Sequence, residues 1–200
     1  MKTRKFLTLA AAIVVIATTF SSCGYNGMVN REEAIDGKWA QVENQYQRRA
    51  DLIPNLVETV KGAADFEKGT LESVIEARSN ATSIKLDAKD LTQENLDKFQ
   101  AAQDQLSGAL SRLMVVVERY PELKATQAFQ DLMVQLEGTE NRISVERKNF
   151  NDAVMDYNSF IRRFPNNITA SIFGFEKRAY FKAQEGADVA PKVDFGKKEE

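Results

Sequence analysis

The amino-acid sequence predicts an all-α fold, an antiparallel bundle of three to four long helices with a short C-terminal segment and a disordered tail. Two observations indicate this class. Only 4 Pro and 10 Gly occur among 200 residues, so long stretches run without a residue that breaks helices. Apolar residues recur along those stretches at the period of a helix face and do not alternate as in a strand. Short connections between such helices would make neighbours antiparallel.

A lipoprotein-type signal peptide is predicted at residues 1–22. Basic residues precede an uncharged, largely apolar stretch, residues 6–20, which is followed by small residues and then by Cys23. The stretch is shorter than the roughly 20 apolar residues of a spanning helix, so a retained transmembrane anchor is the weaker interpretation. Because the only cysteine stands where cleavage is expected, Cys23 is the predicted lipidation site, and residues 23–30 are the predicted anchor and linker. An incidental cysteine in an ordinary cleaved signal is the alternative.

The predicted bundle, residues 31–185, opens with a helical region at about residues 32–80. Two apolar series with heptad spacing define it: Trp39, Tyr46, Ile53, Val60 and Val74, and Val42, Leu56, Ala63 and Ala77. Pro54 lies inside this region and cannot donate a backbone hydrogen bond. We therefore expect a kink or a break there, at a cost of about 3 kcal/mol if packing does not compensate.

The second long helix is predicted to begin near Asp90 and to end at Tyr120-Pro121. Asp90 is followed three residues later by Gln93, as in a capping box, and Thr92 is the rival N-cap. One face of the helix carries an apolar series at heptad spacing, Phe99, Leu106, Leu113 and Tyr120.

The third long helix is predicted at about residues 126–164. Its apolar series is the clearest of the chain: Phe129, Leu136, Ile143, Phe150, Tyr157 and Phe164. Pro165 ends the helix, because the residue before a proline is disfavoured in helical conformation. A short amphipathic segment follows, and residues 186–200 are the predicted disordered tail.

Several motifs are shared with one bacterial family. They are Tyr25-Asn26, residues 48–60, residues 136–143, Phe164-Pro165 and Phe173-Gly174-Phe175. On these motifs the chain resembles the LemA family over about residues 25–181. The resemblance implies a membrane-anchored bacterial protein with an antiparallel helical bundle, and it implies no established reaction. Family members more often keep an N-terminal transmembrane helix, from which the signal at Cys23 departs.

A polar layer across the bundle is the first candidate site. Arg49 shares its heptad position with Val42 and Leu56, where an apolar side chain is expected. Because an unpaired buried charge is very unfavourable, we expect a carboxylate partner, either Glu140 or Glu146. The third long helix offers four polar residues at core-flanking positions, Thr139, Glu140, Glu146 and Arg147. The layer would fix helix register or bind a ligand or ion; otherwise Arg49 reaches water without a pair.

Aromatic residues after the third long helix are the second candidate. They are Phe173, Phe175, Tyr180 and Phe181. Packing on the end of the bundle is the favoured interpretation, and contact with a partner or a membrane is the alternative.

Composition excludes several classes of function. Without a single His there is no Ser-His-Asp or Cys-His catalytic site and no His-ligated metal. A net charge of -2 disfavours nucleic-acid binding. No cofactor and no metal are expected. We therefore predict a non-enzymatic scaffold or protein-interaction module of the bacterial cell envelope, lipid-anchored on the extracytoplasmic side and facing the periplasm, with envelope proteins as partners. The alternative is a ligand- or ion-binding sensor that uses the layer around Arg49.

Overall fold

The computed structural model describes residues 2–62 and 67–182, with side chains from residue 24 onward except at Lys89. The side chain of Cys23, those of the predicted signal peptide, and the predicted tail at residues 186–200 lie outside this description.

The described part of the chain is helical and contains no strand, which confirms the predicted all-α class. The helices are α1 Lys2–Lys61, α2 Lys68–Ser83, α3 Gln93–Val117, α4 Pro121–Lys124, α5 Gln127–Arg162 and α6 Asn166–Phe173. A single 3₁₀ turn, Ala88–Asp90, lies between α2 and α3.

The four long helices form an antiparallel bundle. α1 packs mainly along α5, and α2 packs along α3. Arg31 of α1 pairs with Asp156 of α5, whereas Arg49 further along α1 pairs with Glu140, so residue numbers rise on one helix as they fall on the other. The short helix α6 packs on the N-terminal half of α1 and on α5.

We expected a kink or a break at Pro54; the break is wrong, since α1 continues through Pro54 to Lys61. Pro54 leaves the carbonyl of Ala50 without its helical donor. The guanidinium of Arg78, on α2, donates to this carbonyl from Nε at 2.7 Å. A side chain of the neighbouring helix thus supplies the hydrogen bond that the proline removes.

Helix α3 begins at Gln93, near the expected position, but its cap is the rival candidate and not Asp90. Thr92 is the N-cap, and its hydroxyl accepts a hydrogen bond from the backbone N–H of Asn95 at 3.2 Å. Asp90 belongs to the 3₁₀ turn, and its carbonyl accepts from the Asn95 side chain. The turn places Leu91 in the core, which favours starting the helix after that residue.

The third long helix agrees with its prediction except at the last residue of the apolar series. Thr126 caps α5, and the series from Phe129 to Tyr157 is buried. Phe164 is instead 81% exposed. The helix ends at Arg162, so Phe164 no longer follows the helical stripe.

The buried apolar residues form two cores along the bundle. The distal core joins all four long helices and includes Ile53, Val60, Val74, Leu106, Leu113, Phe129 and Leu136. The proximal core lies towards the N-terminal half of α1 and includes Met28, Ile35, Trp39, Phe99, Phe150 and Tyr157. Residues 24–30, the described part of the predicted linker, belong to α1, and Met28 is fully buried.

Truncating Phe150 to Ala should lower the free energy of unfolding by about 3–5 kcal/mol, because the ring fills the proximal core beside Trp39. Denaturant unfolding followed by circular dichroism measures this loss. The matched control is Val134→Ala on the exposed face of the same helix, which should change stability by less than about 0.5 kcal/mol. Equal effects of the two substitutions would show that the stripe is assigned to the wrong face.

Candidate functional site

Arg49 lies at the boundary between the two cores, and only 2% of it is exposed. Its position on α1 belongs to the stripe that carries Val42 and Leu56, both fully buried. The helix therefore places a guanidinium where its neighbours one heptad away place methyl groups.

The guanidinium of Arg49 contacts three polar side chains. Nη1 donates to a carboxylate oxygen of Glu140 at 2.8 Å and to the hydroxyl of Ser107 at 2.9 Å. Nη2 donates to the Gln103 side-chain oxygen at 2.7 Å and to the Gln103 carbonyl at 3.2 Å. The Gln103 amide in turn donates to the carbonyl of Ala81. We call Arg49, Gln103, Ser107 and Glu140 the polar layer, and with Ala81 it connects α1, α2, α3 and α5.

The layer is closed on one side and open on the other. Gln103 is buried with Arg49, whereas the side chain of Glu140 is 53% exposed. Arg49 Nε finds no hydrogen-bond partner among the described residues. Water can therefore reach the carboxylate, and the pair is weaker than one enclosed on all sides. Removing Arg49 would leave the buried side-chain oxygen of Gln103 without a hydrogen-bond donor, whereas the Glu140 carboxylate could still be hydrated.

The other residues expected in this layer lie apart from it. Thr139 is buried, but its hydroxyl donates to the carbonyl of Gln135 on its own helix. Glu146 accepts a hydrogen bond from Asn149 and not from Arg49. Arg147 lies over the ring of Phe181, with its guanidinium carbon 4.6 Å from the ring centre. Of the expected residues, the structure thus brings Arg49 and Glu140 together.

The sequence interpretation missed Gln103 and Ser107. Gln103 lies four residues after Phe99 and three before Leu106, on the apolar stripe of α3. A polar residue on an apolar stripe is the same signal that identified Arg49, and it was available at Gln103. Ser107 gives no such signal.

After α6, residues 175–182 run along α5 in a segment that we call the C-terminal strap. The Asn158 side chain accepts from the backbone N–H of Arg178 and donates to its carbonyl, both at 2.9 Å. Asn151, two helical turns away, holds the N–H and carbonyl of Phe181 in the same way, at 2.9 and 3.1 Å. Two asparagines of α5 thus bind the main chain of the strap.

The four aromatic residues of the second candidate site differ in burial. Phe181 is 4% exposed and packs on Trp39 and Phe150, in line with the favoured interpretation of packing and against its alternative as a partner contact. Phe175 is partly buried, whereas Phe173 and Tyr180 are exposed. The rings of Phe173 and Phe175 contact Tyr25 of α1 edge-on.

Buried tyrosines of the proximal core lie close to charged groups. Burial, and after it the nearby Glu32 carboxylate, raises the pKa of Tyr157 to about 12. Burial also raises the pKa of Tyr46, against the opposing effect of Arg147 and Arg49. Both hydroxyls thus stay protonated at neutral pH and cannot serve as ready bases.

Two clefts flank the polar layer. One, of about 620 Å³, is lined by Glu140, Arg147 and Phe181 among others. The other, of about 350 Å³, reaches Tyr46 and Gln103 from the side of α2. Within the residues whose side chains are described, no group of three His, Cys, Asp or Glu could hold a metal ion.

A double-mutant cycle tests which carboxylate is coupled to Arg49. Arg49→Met should lower the free energy of unfolding by about 2–3 kcal/mol, chiefly because the buried side-chain oxygen of Gln103 loses its donor. Combination with Glu140→Gln should reveal a coupling of about 1 kcal/mol, a value reduced by the exposure of Glu140. The matched cycle with Glu146→Gln should be additive within about 0.5 kcal/mol. Additivity in both cycles would refute the pair.

In the part of the chain with described side chains, no helix is long and apolar enough to cross a membrane. The sequence is similar to the magnetosome protein MamQ 2 of Paramagnetospirillum magneticum, with 26% identity over 92% of this chain and 73% of that protein. MamQ of Magnetospirillum gryphiswaldense is 26% identical over 92% of this chain and 74% of its own length. Protein LemA of Metamycoplasma hominis is 23% identical over 80% of this chain and 69% of its own. Residues 38–195 match the profile of the LemA family, and the chain therefore belongs to the LemA family.

Proposed function

We propose that this protein is a membrane-anchored, non-enzymatic scaffold or interaction module of the bacterial cell envelope, held by a lipid on Cys23 and facing the periplasm. The observation that carries the proposal is the apolar stretch that precedes the only cysteine. α1 runs from this stretch into the proximal core, where Met28 is buried. An anchor at Cys23 would therefore hold the bundle itself and not a loose linker.

The rigidity of the bundle supports an interaction role. The polar layer joins four helices at one level, and the strap fastens the chain after α6 onto α5. α5 is 36 residues long, or about 54 Å at the rise of an α-helix. Val134 and Val145 lie exposed on this helix about three turns apart and so share one outer face. A long rigid face of this kind suits the docking of another protein.

A sensor that binds a small ligand at the polar layer is the second candidate. The two flanking clefts and the exposed side of Glu140 favour it. A ligand present at a hundred times its dissociation constant would raise stability by about 2.7 kcal/mol. Thermal unfolding against a panel of small cations tests this candidate, and Glu140→Gln, which removes the negative charge, should abolish any shift. Shifts that persist in the variant would place the ligand elsewhere.

Changing Cys23 to Ser should abolish acyl labelling, because the thiol that would carry the lipid is absent. The chain should then remain unprocessed or move to the soluble fraction. Metabolic labelling with a fatty acid, together with membrane fractionation, measures both effects. Ser22→Ala keeps the thiol and serves as the neighbouring control. Unchanged acyl labelling in the Cys23→Ser chain would contradict the lipid anchor.

The same two variants test the interaction role. Crosslinking in cells followed by affinity purification should recover envelope proteins with the control variant and lose them with Cys23→Ser, because only the anchored chain lies beside them. Recovery of the same proteins from both chains would separate partner binding from anchoring and would contradict a scaffold that works at the membrane.

A further inference from the structure

Large apolar side chains lie exposed at the end of the bundle where α6 packs. Ile172 is 72% exposed, and four other residues lie near it with exposed rings or branched chains. We call these five residues the end patch: Tyr25, Phe164, Ile168, Ile172 and Phe173. Single exposed apolar residues are ordinary, but a group on one short segment marks a contact surface.

Helix α6 buries small side chains and exposes bulky apolar ones, which is the reverse of the usual arrangement. Its buried residues are the small Thr169 and Ala170, whereas Ile168 and Ile172, four residues apart on one face, point outward. A helix that packs on a soluble bundle normally turns its bulky apolar residues inward. The outer face of α6 therefore fits an apolar or interfacial environment better than water.

The end patch lies beside the predicted anchor. α6 packs so closely on α1 at Gly24 that an added Cβ there would lie 3.1 Å from the Asn166 side chain. Gly24 directly follows Cys23, and α6 is only eight residues long, or about 12 Å. A lipid on Cys23 would thus hold this end of the bundle against the bilayer, with the end patch within one short helix of the anchor.

The charges around the end patch suit a membrane surface. Residues 162–173 contain two arginines, Arg162 and Arg163, and no acidic residue, although the chain as a whole is negative. Both arginines are exposed next to Phe164. Apolar and aromatic side chains flanked by basic residues are the composition of interfacial helices, in which the bases meet lipid phosphates.

We propose that the end patch is a membrane contact, with the outer face of α6 lying in the headgroup and upper acyl region of the bilayer that holds the Cys23 anchor. This inference rests on the proposed function, because the anchor brings the patch to the lipid. The bundle then stands on its proximal end, and the distal core projects away from the membrane by roughly the length of α5.

Brominated lipids test this contact in the lipid-modified chain, which by the proposed processing begins at Cys23. The chain is reconstituted into vesicles of phosphatidylcholine and phosphatidylglycerol, with and without bromine on the upper acyl carbons. Ile172→Trp supplies a fluorescent probe in the patch, and the native Trp39 is buried and serves as internal background. Val115→Trp is the matched control, because Val115 is also 72% exposed but lies on α3 near the distal core.

The added emission of Ile172→Trp should be largely lost in brominated vesicles, and that of Val115→Trp should be unchanged. If the chain floats with the vesicles but neither probe is quenched, the end patch does not touch lipid, while the anchor remains supported. A blue shift at Ile172→Trp that depends on protein concentration and not on bromine would assign the patch to a second copy and overturn the membrane contact. A chain that fails to float with vesicles would overturn the anchor and, with it, this inference.

Discussion

The guanidinium of Arg49 needs hydrogen-bond acceptors at a level of the bundle where two apolar cores meet. A charge in that position stays solvated only if other helices bring oxygen atoms to it. α3 brings Gln103 and Ser107, α5 brings Glu140, and α2 is joined through the carbonyl of Ala81. Sliding α1, α3 or α5 by a turn would separate the charge from these oxygen atoms, whereas apolar packing alone tolerates slippage, so the layer would favour one register of these helices.

The helical stripes were predictable from sequence because heptad spacing reports a local property, the face that each helix buries. The prediction failed where a distant residue decides a local outcome. Pro54 does not break α1, because Arg78, on another helix, donates to the freed carbonyl of Ala50. Packing of Phe181 was the favoured interpretation, but the hydrogen bonds from α5 that hold the strap were not predictable from the sequence near Phe181. At Phe164 the cause is local: α5 ends two residues earlier, so Phe164 does not continue the buried apolar face of that helix.

The candidate site was predictable in part for the same reason. A charged residue on an apolar stripe identified Arg49, and a buried charge demanded a carboxylate. Whether Arg49 pairs with Glu140 or with Glu146 depends on the register of α1 against α5. The Arg31–Asp156 ion pair, at the proximal end, belongs to the same register as the Arg49–Glu140 pair. Six residues separate the two glutamates, which is about 9 Å along the helix. Heptad positions alone do not fix that register, because shifts by whole heptads keep the same stripe buried.

The strap is attached in a way that makes its exposed side chains largely replaceable. The side chains of Asn151 and Asn158 form hydrogen bonds with main-chain N–H and C=O groups, and every residue type except proline has both groups. Mutations at Glu176 or Lys177, which are exposed, would leave those hydrogen bonds in place, whereas Phe175, Ala179 and Phe181 pack against the proximal core. The exposed side chains of this segment could therefore change its outward chemistry while two asparagines of α5 and the core-facing side chains of the strap hold it in place.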